Sequence, residues 1–154
     1  MADGTLSEDI MVQAIHLEIH TRDFYREAAA MIENKKGNSL MLKLANEEDF
    51  HRDILTARFK KLLEKDFIED PNYPRDPKIR SVESAVFDQA TAKEVVSIGI
   101  SGENLSIKLY RTQIDTVTDP EDTKILKNLV KFEEKHKSKL QKIYRRLEKR
   151  NFWN

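Results

Sequence analysis

The chain has 154 residues, enough for one domain with one sizeable core. Lys+Arg and Asp+Glu balance at 27 each, which gives no reason to expect a nucleic-acid or anionic-membrane partner. Cysteine is absent, so disulfides, thiolate catalysis, iron–sulfur clusters and cysteine-ligated zinc are excluded.

Residues Met1 to Asp9 are acidic and lack an apolar core, so no secretory leader is expected, and no apolar run approaches membrane-spanning length. The expectation is a single domain over 1–154 in the cytoplasm. Four glycines, four prolines and a charged fraction of 35% suit long amphipathic helices better than strands. The first helix is predicted from the N-cap Ser7 to about Glu33, because Ile10, Ala14, Leu17, Glu18, Tyr25 and Ala28 recur at helical steps. Asn34 to Asn38 reads as a turn in which Gly37 takes the left-handed conformation. A second helix follows from Ser39 to Lys65, with Leu40, Leu44, Ala45, Ile54, Leu55 and Leu62 on its core side.

Residues 66–80 carry Pro71, Pro74 and Pro77 and cannot continue a helix. Ser81 to Gln89 reads as one short helix. Thr91-Ala92-Lys93-Glu94 has capping-box spacing and starts the third long helix, which reaches Asp115. Asp119-Pro120-Glu121-Asp122 supplies an N-cap, a proline at the first helical position and two first-turn acids. It opens a fourth helix to Lys149, whose late cations from Lys135 to Arg150 complement the helix dipole. Two short turns and one long proline-bearing crossover predict an all-α fold. Two antiparallel helix hairpins form a four-helix bundle of ferritin-like arrangement.

An internal repeat carries the chemistry. Glu18, Tyr25, Glu48 and His51 recur at one constant offset as Glu103, Tyr110, Glu133 and His136. Leu44/Leu129, Leu55/Leu140, Phe59/Tyr144 and Leu62/Leu147 match at the same offset. Residues three apart share a helix face, so Glu48 points with His51 and Glu133 with His136. Each lone glutamate lies about as far before its hairpin turn as its Glu-x-x-His lies after it, which places the two side by side. Glu47 is also within helical reach of His51, but its counterpart is Phe132, assigned to the core, and the repeat sets Glu47 aside. His16 and His20 flank Glu18 by two residues and are expected on the surface or at an interface.

Four carboxylates inside an apolar bundle need neutralising, since one unpaired buried charge costs several kcal/mol. Two divalent cations balance four glutamates with neutral imidazoles. Oxygen ligands with one imidazole per metal suit iron(II), with manganese(II) as the alternative. Tyr25 and Tyr110, two turns beyond the lone glutamates, are placed to hydrogen-bond and orient ligating carboxylates.

On these residues, and on Phe24-Tyr25 and Leu44-Ala45-Asn46-Glu47-Glu48-Asp49-Phe50-His51, the chain resembles the rubrerythrin branch of the ferritin-like di-iron carboxylate superfamily. The resemblance covers nearly the whole chain. It implies Glu18, Glu48, His51, Glu103, Glu133 and His136 as ligands of two iron ions, with Glu48 and either Glu103 or Glu133 bridging. The chain departs from that branch at Ser106, where a further glutamate would stand, with Thr21 as its counterpart, and it has no rubredoxin-like Cys-x-x-Cys module.

The leading expectation is a redox enzyme that reacts with H2O2 or O2, of peroxidase or ferroxidase type, and is reset by an external donor such as a rubredoxin-like protein or a reductase. Iron storage is the alternative, with Asn151-Phe152-Trp153-Asn154 leaving no short fifth helix. Di-iron hydroxylation of an organic substrate is a third class and needs an apolar access channel. By analogy with ferritin-like domains a homodimer is expected, in which the crossover could exchange hairpins.

Overall fold

The computed structural model describes residues 4–149, so Arg150 and the Asn151 to Asn154 end lie outside the described residues. Within them the elements are α1 (Glu8–Met31), α2 (Lys35–Leu63), a 3-10 turn (Pro77–Ile79), α3 (Gln89–Ile114) and α4 (Pro120–Glu148). The fold is an all-α four-helix bundle. None of these helices is long and apolar enough to cross a membrane.

Local chemistry sets the helix ends. Ser7 caps α1 by accepting from the Ile10 N–H, and Glu8 and Asp9 occupy the dipole-favoured first turn. Asp119 caps α4 in the same way through the Asp122 N–H, with Pro120 just inside. Three boundaries differ from the sequence reading. Gly37 is helical rather than left-handed: Asn34 caps α2 by accepting from the Gly37 N–H, so α1 stops at Met31 and α2 starts at Lys35. Ser81 to Asp88 forms no helix, and the helical turn of the crossover is Pro77–Ile79, capped by Asp76. α3 begins at Gln89 because Asp88 accepts from the Thr91 N–H. Glu94 pairs with Arg80 at 2.6 Å instead of closing a capping box.

α1 packs against α2 and α3 against α4, giving two hairpins that meet through the pairs α1–α3 and α2–α4. The 3-10 turn lies on α1 and α3, with the Ile79 side chain fully buried. The crossover therefore covers the α1–α3 face and leaves the α2–α4 face open. Two apolar clusters fill the interior. One gathers Phe24, Ala28, Met41, Leu44, Val95 and Leu147, and the other gathers Met11, Ile15, Leu55, Phe59, Leu126 and Leu129. Each buried side chain of this size contributes roughly 1.5–3 kcal/mol relative to exposure.

One buried ion pair ties α2 to the start of α4. Arg58 donates to Asp122 at 2.5 Å, to Glu121 at 2.6 Å and to Asp119 at 2.9 Å. Asp122 also accepts from the Leu6 N–H at 2.8 Å.

Candidate metal centre

The register of the hairpins brings all six repeated carboxylate and imidazole groups together at mid-bundle. Glu18 comes from α1, Glu48 and His51 from α2, Glu103 from α3, and Glu133 and His136 from α4. All four glutamates have zero exposure, and His51 and His136 are buried at 1% and 3%. The contacts are reciprocal across the two-fold. His51 Nδ1 lies 2.9 Å from Glu133 and 3.6 Å from both Glu18 and Glu48. His136 Nδ1 lies 3.0 Å from Glu48, 3.4 Å from Glu103 and 3.5 Å from Glu133.

Two overlapping quartets result: Glu18, Glu48, His51 and Glu133, and Glu48, Glu103, Glu133 and His136. Each offers one ligand atom per residue, all within 4.8 Å of one another. Glu48 and Glu133 belong to both quartets. Glu18 and His51 belong only to the first quartet, and Glu103 and His136 only to the second.

Both tyrosines reach the site, and each does so from the opposite hairpin. Tyr25 donates to Glu103 at 2.5 Å, and Tyr110 donates to Glu18. Gly99 makes the first contact feasible, since a Cβ there would stand 3.3 Å from the Tyr25 ring and 3.1 Å from Leu140. Burial, and then the charges of Glu103 and Glu18, hold the Tyr25 and Tyr110 hydroxyls protonated well above the usual tyrosine range. They are donors at any physiological pH.

The electrostatics of the cluster are frustrated without a cation. Burial pushes Glu103 and Glu48 well above the ordinary carboxylate range, and the charges of Glu133 on Glu103 and of Glu18 on Glu48 add to it. Glu133 is raised as well, by burial and by Glu48 and Glu18. Glu18 alone is lowered, to about 2, because hydrogen bonds with Glu48 and His51 outweigh its burial. Despite burial, the surrounding carboxylates push His51 up to about 12 and raise His136 in the same direction. Without a cation the cluster is therefore neutralised by protons, held on the two imidazoles and on the raised carboxyls. One oxygen on each glutamate (Glu18, Glu48, Glu103 and Glu133 Oε2) is buried with no hydrogen-bond partner. Buried acceptors are almost always satisfied, and four orphaned oxygens on residues of these two quartets fit a pair of cations. Carboxylate oxygen with imidazole nitrogen is a donor set for iron or manganese.

Two further residues fall elsewhere than expected, and a third has a partner that helical spacing does not show. Glu47 accepts a hydrogen bond from His136 Nε2, so it reaches the imidazole of the other hairpin. The repeat sets it aside as a ligand, and neither quartet includes it. Phe132 is not core: it is 38% exposed and lies over the His51 ring at 5.2 Å. His16 is buried rather than on the surface. Its ring stacks on Tyr73 of the crossover at 4.0 Å, bonds the Val12 carbonyl and accepts from the Asp70 N–H. Glu47 and Phe132 border a cavity of about 310 Å3 on the open α2–α4 face, with Lys43, Lys135, Lys139, Phe50 and the two imidazoles.

A family model described as rubrerythrin matches residues 9–144, which include every one of these groups. The chain belongs to the rubrerythrin family. Its rubrerythrin fold is shared with solved structures at low identity. A hypothetical protein from Pyrococcus furiosus is 20% identical with a TM-score of 0.79, over 90% of this chain and 87% of that one. A dodecameric thioferritin, the bacterioferritin-related protein from Bacteroides fragilis, is 21% identical with a TM-score of 0.70, over 87% and 81%. CopM in its Cu(II)-bound form is 8% identical with a TM-score of 0.69, over 88% and 93%. No curated protein matches the chain. At such identities the likeness is one of fold, and the rubrerythrin assignment rests on the family match.

Proposed function

We propose that this rubrerythrin-family chain is a dinuclear iron redox protein that reduces H2O2 or O2 with electrons from an external donor. The observation that carries the reading is the pair of quartets overlapping at Glu48 and Glu133, with one orphaned oxygen on each of four buried glutamates. Glu18, Glu48, His51 and Glu133 would hold one ion, and Glu48, Glu103, Glu133 and His136 the other. Two iron(II) ions bound there would supply the two electrons that reduce a peroxide to water.

The chain's own residues do the rest. Tyr110 and Tyr25 donate to Oε1 of Glu18 and of Glu103, which fixes the orientation of each carboxylate. The apolar clusters on either side exclude water from the carboxylates and so strengthen their field. Lys43, Lys135 and Lys139 stand with Phe50 and Phe132 around the cavity over the imidazoles, which gives a small oxidant a way to the centre. A rubredoxin-like protein or a reductase would restore the electrons, and assembly as at least a homodimer belongs to the same proposal.

The test is anaerobic loading with iron(II), followed by H2O2 or O2 in separate runs. Two iron per chain, and oxidation of both iron ions per H2O2 consumed, support the reading. Storage instead predicts hundreds of iron atoms per assembly and continued uptake. Loss of all iron on passage through a desalting column would end both.

A further inference from the structure

The internal two-fold that builds the centre is broken where Glu47 and Phe132 stand. These residues are counterparts in the repeat, and each lies over the imidazole of the opposite helix. Glu47 on α2 accepts from His136 Nε2, whereas Phe132 on α4 lies over the His51 ring at 5.2 Å and offers no acceptor. His51 Nε2 is buried without a hydrogen-bond partner. The carboxylate groups around each Nδ1 are otherwise matched: three glutamates within 3.6 Å of His51 and three within 3.5 Å of His136. The difference between the halves is thus concentrated on the outer edge of each ring.

That edge governs how well the inner nitrogen binds a cation. An anionic acceptor on Nε2–H fixes the tautomer that leaves Nδ1 its lone pair, holds the ring plane and pushes electron density toward Nδ1. A phenyl ring does none of these. Resting on the two-metal reading above, we propose that Glu47 makes the two metal positions unequal. The position built from Glu48, Glu103, Glu133 and His136 fills first and holds its ion, and the position built from Glu18, Glu48, His51 and Glu133 is the weaker, exchangeable one. Glu47 is a positioning residue, acting through His136. Over a range of free metal the protein then holds one ion per chain, and a second metal can complete a mixed pair.

The test is titration of metal-free protein with cobalt(II), followed by its visible absorption, and then with iron(II) under anaerobic conditions. Wild type is expected to bind in two steps whose dissociation constants differ by roughly tenfold or more, the size of effect that outer partners of a ligating histidine exert. Glu47→Gln keeps an acceptor but removes its charge, and Glu47→Ala removes both. The tighter step should weaken progressively in that order, while Glu47→Asp restores it in part. Phe132→Glu supplies the missing acceptor and should tighten the weaker step. The cobalt(II) ligand-field bands of the first step should shift in Glu47→Ala, which a purely structural role would not produce. In an Glu103→Ala background, which lacks the His136-side position, Glu47→Gln should change nothing. In Glu18→Ala it should weaken the single remaining step. Two equal steps in wild type, or unequal steps indifferent to position 47, overturn the inference while leaving the two-metal reading intact. Binding of no metal overturns both.

Discussion

At the scale of single residues, the centre depends on which glutamates are shared. Glu48 and Glu133 serve both quartets and Glu18 and Glu103 one each. Glu133→Ala is therefore expected to abolish binding of both ions, and Glu18→Ala to leave one ion per chain, as read by metal analysis of repurified protein. Tyr25→Phe removes the donor to Glu103 and should weaken metal binding by about 10–100-fold without unfolding the bundle. The six ligand candidates and both tyrosines were legible in the sequence because the repeat states them twice. Phe132 and His16 lie elsewhere than helical spacing places them, and the partner of Glu47 is hidden from it, for one physical reason. Helical spacing says which residues of one helix share a face, but not which neighbour that face meets. Glu47 finds its partner on α4, and His16 finds its cover in Tyr73 of a segment without periodicity.

Among the elements, the hairpins are coupled by the site itself and by the Arg58 pair. Arg58 is 5% exposed and Asp122 is fully buried, so removing the guanidinium leaves a carboxylate stranded beside the start of α4. Breaking such a pair costs about 3–5 kcal/mol. Arg58→Ala should accordingly lower Tm by roughly 6 °C or more for a chain of this size, measured on metal-free protein by calorimetry. The long helices were readable because caps and apolar steps agree over their length. The turns were less so: Asn34 and Asp88 compete with other polar residues nearby as caps, and the choice is settled by where α1 and the crossover deliver the chain. Pro77–Ile79 and the burial of Ile79 could not be seen in advance, because one apolar residue among prolines and charges carries no period.

For the whole molecule, metal and protons compete for one buried cluster. The folded state holds protons on His51 and His136 more tightly than the ordinary imidazole value of 6.5, up to about 12 for His51. A raised value stabilises fully below pH 6.5 and is lost as pH rises toward the folded value. Raised Glu48 and Glu103 act with the same sign, while Glu18, lowered to about 2, contributes a constant amount above pH 4.5. Metal-free protein should thus lose stability as pH rises above about 4.5 through the raised carboxyls and more steeply above 6.5 through the imidazoles, by about 1.4 kcal/mol per pH unit for each proton that only the folded state retains, seen as falling urea midpoints. Metal binding reverses the trend, because a ligating nitrogen carries no proton: loading should release protons and tighten with rising pH.

The most direct measurement of the central claim is iron(II) stoichiometry under anaerobic conditions, by titration of metal-free wild type beside Glu133→Ala. Six converging side chains predict two iron per chain in the first and none in the second. Equal uptake by both proteins, or none by wild type, would contradict the account.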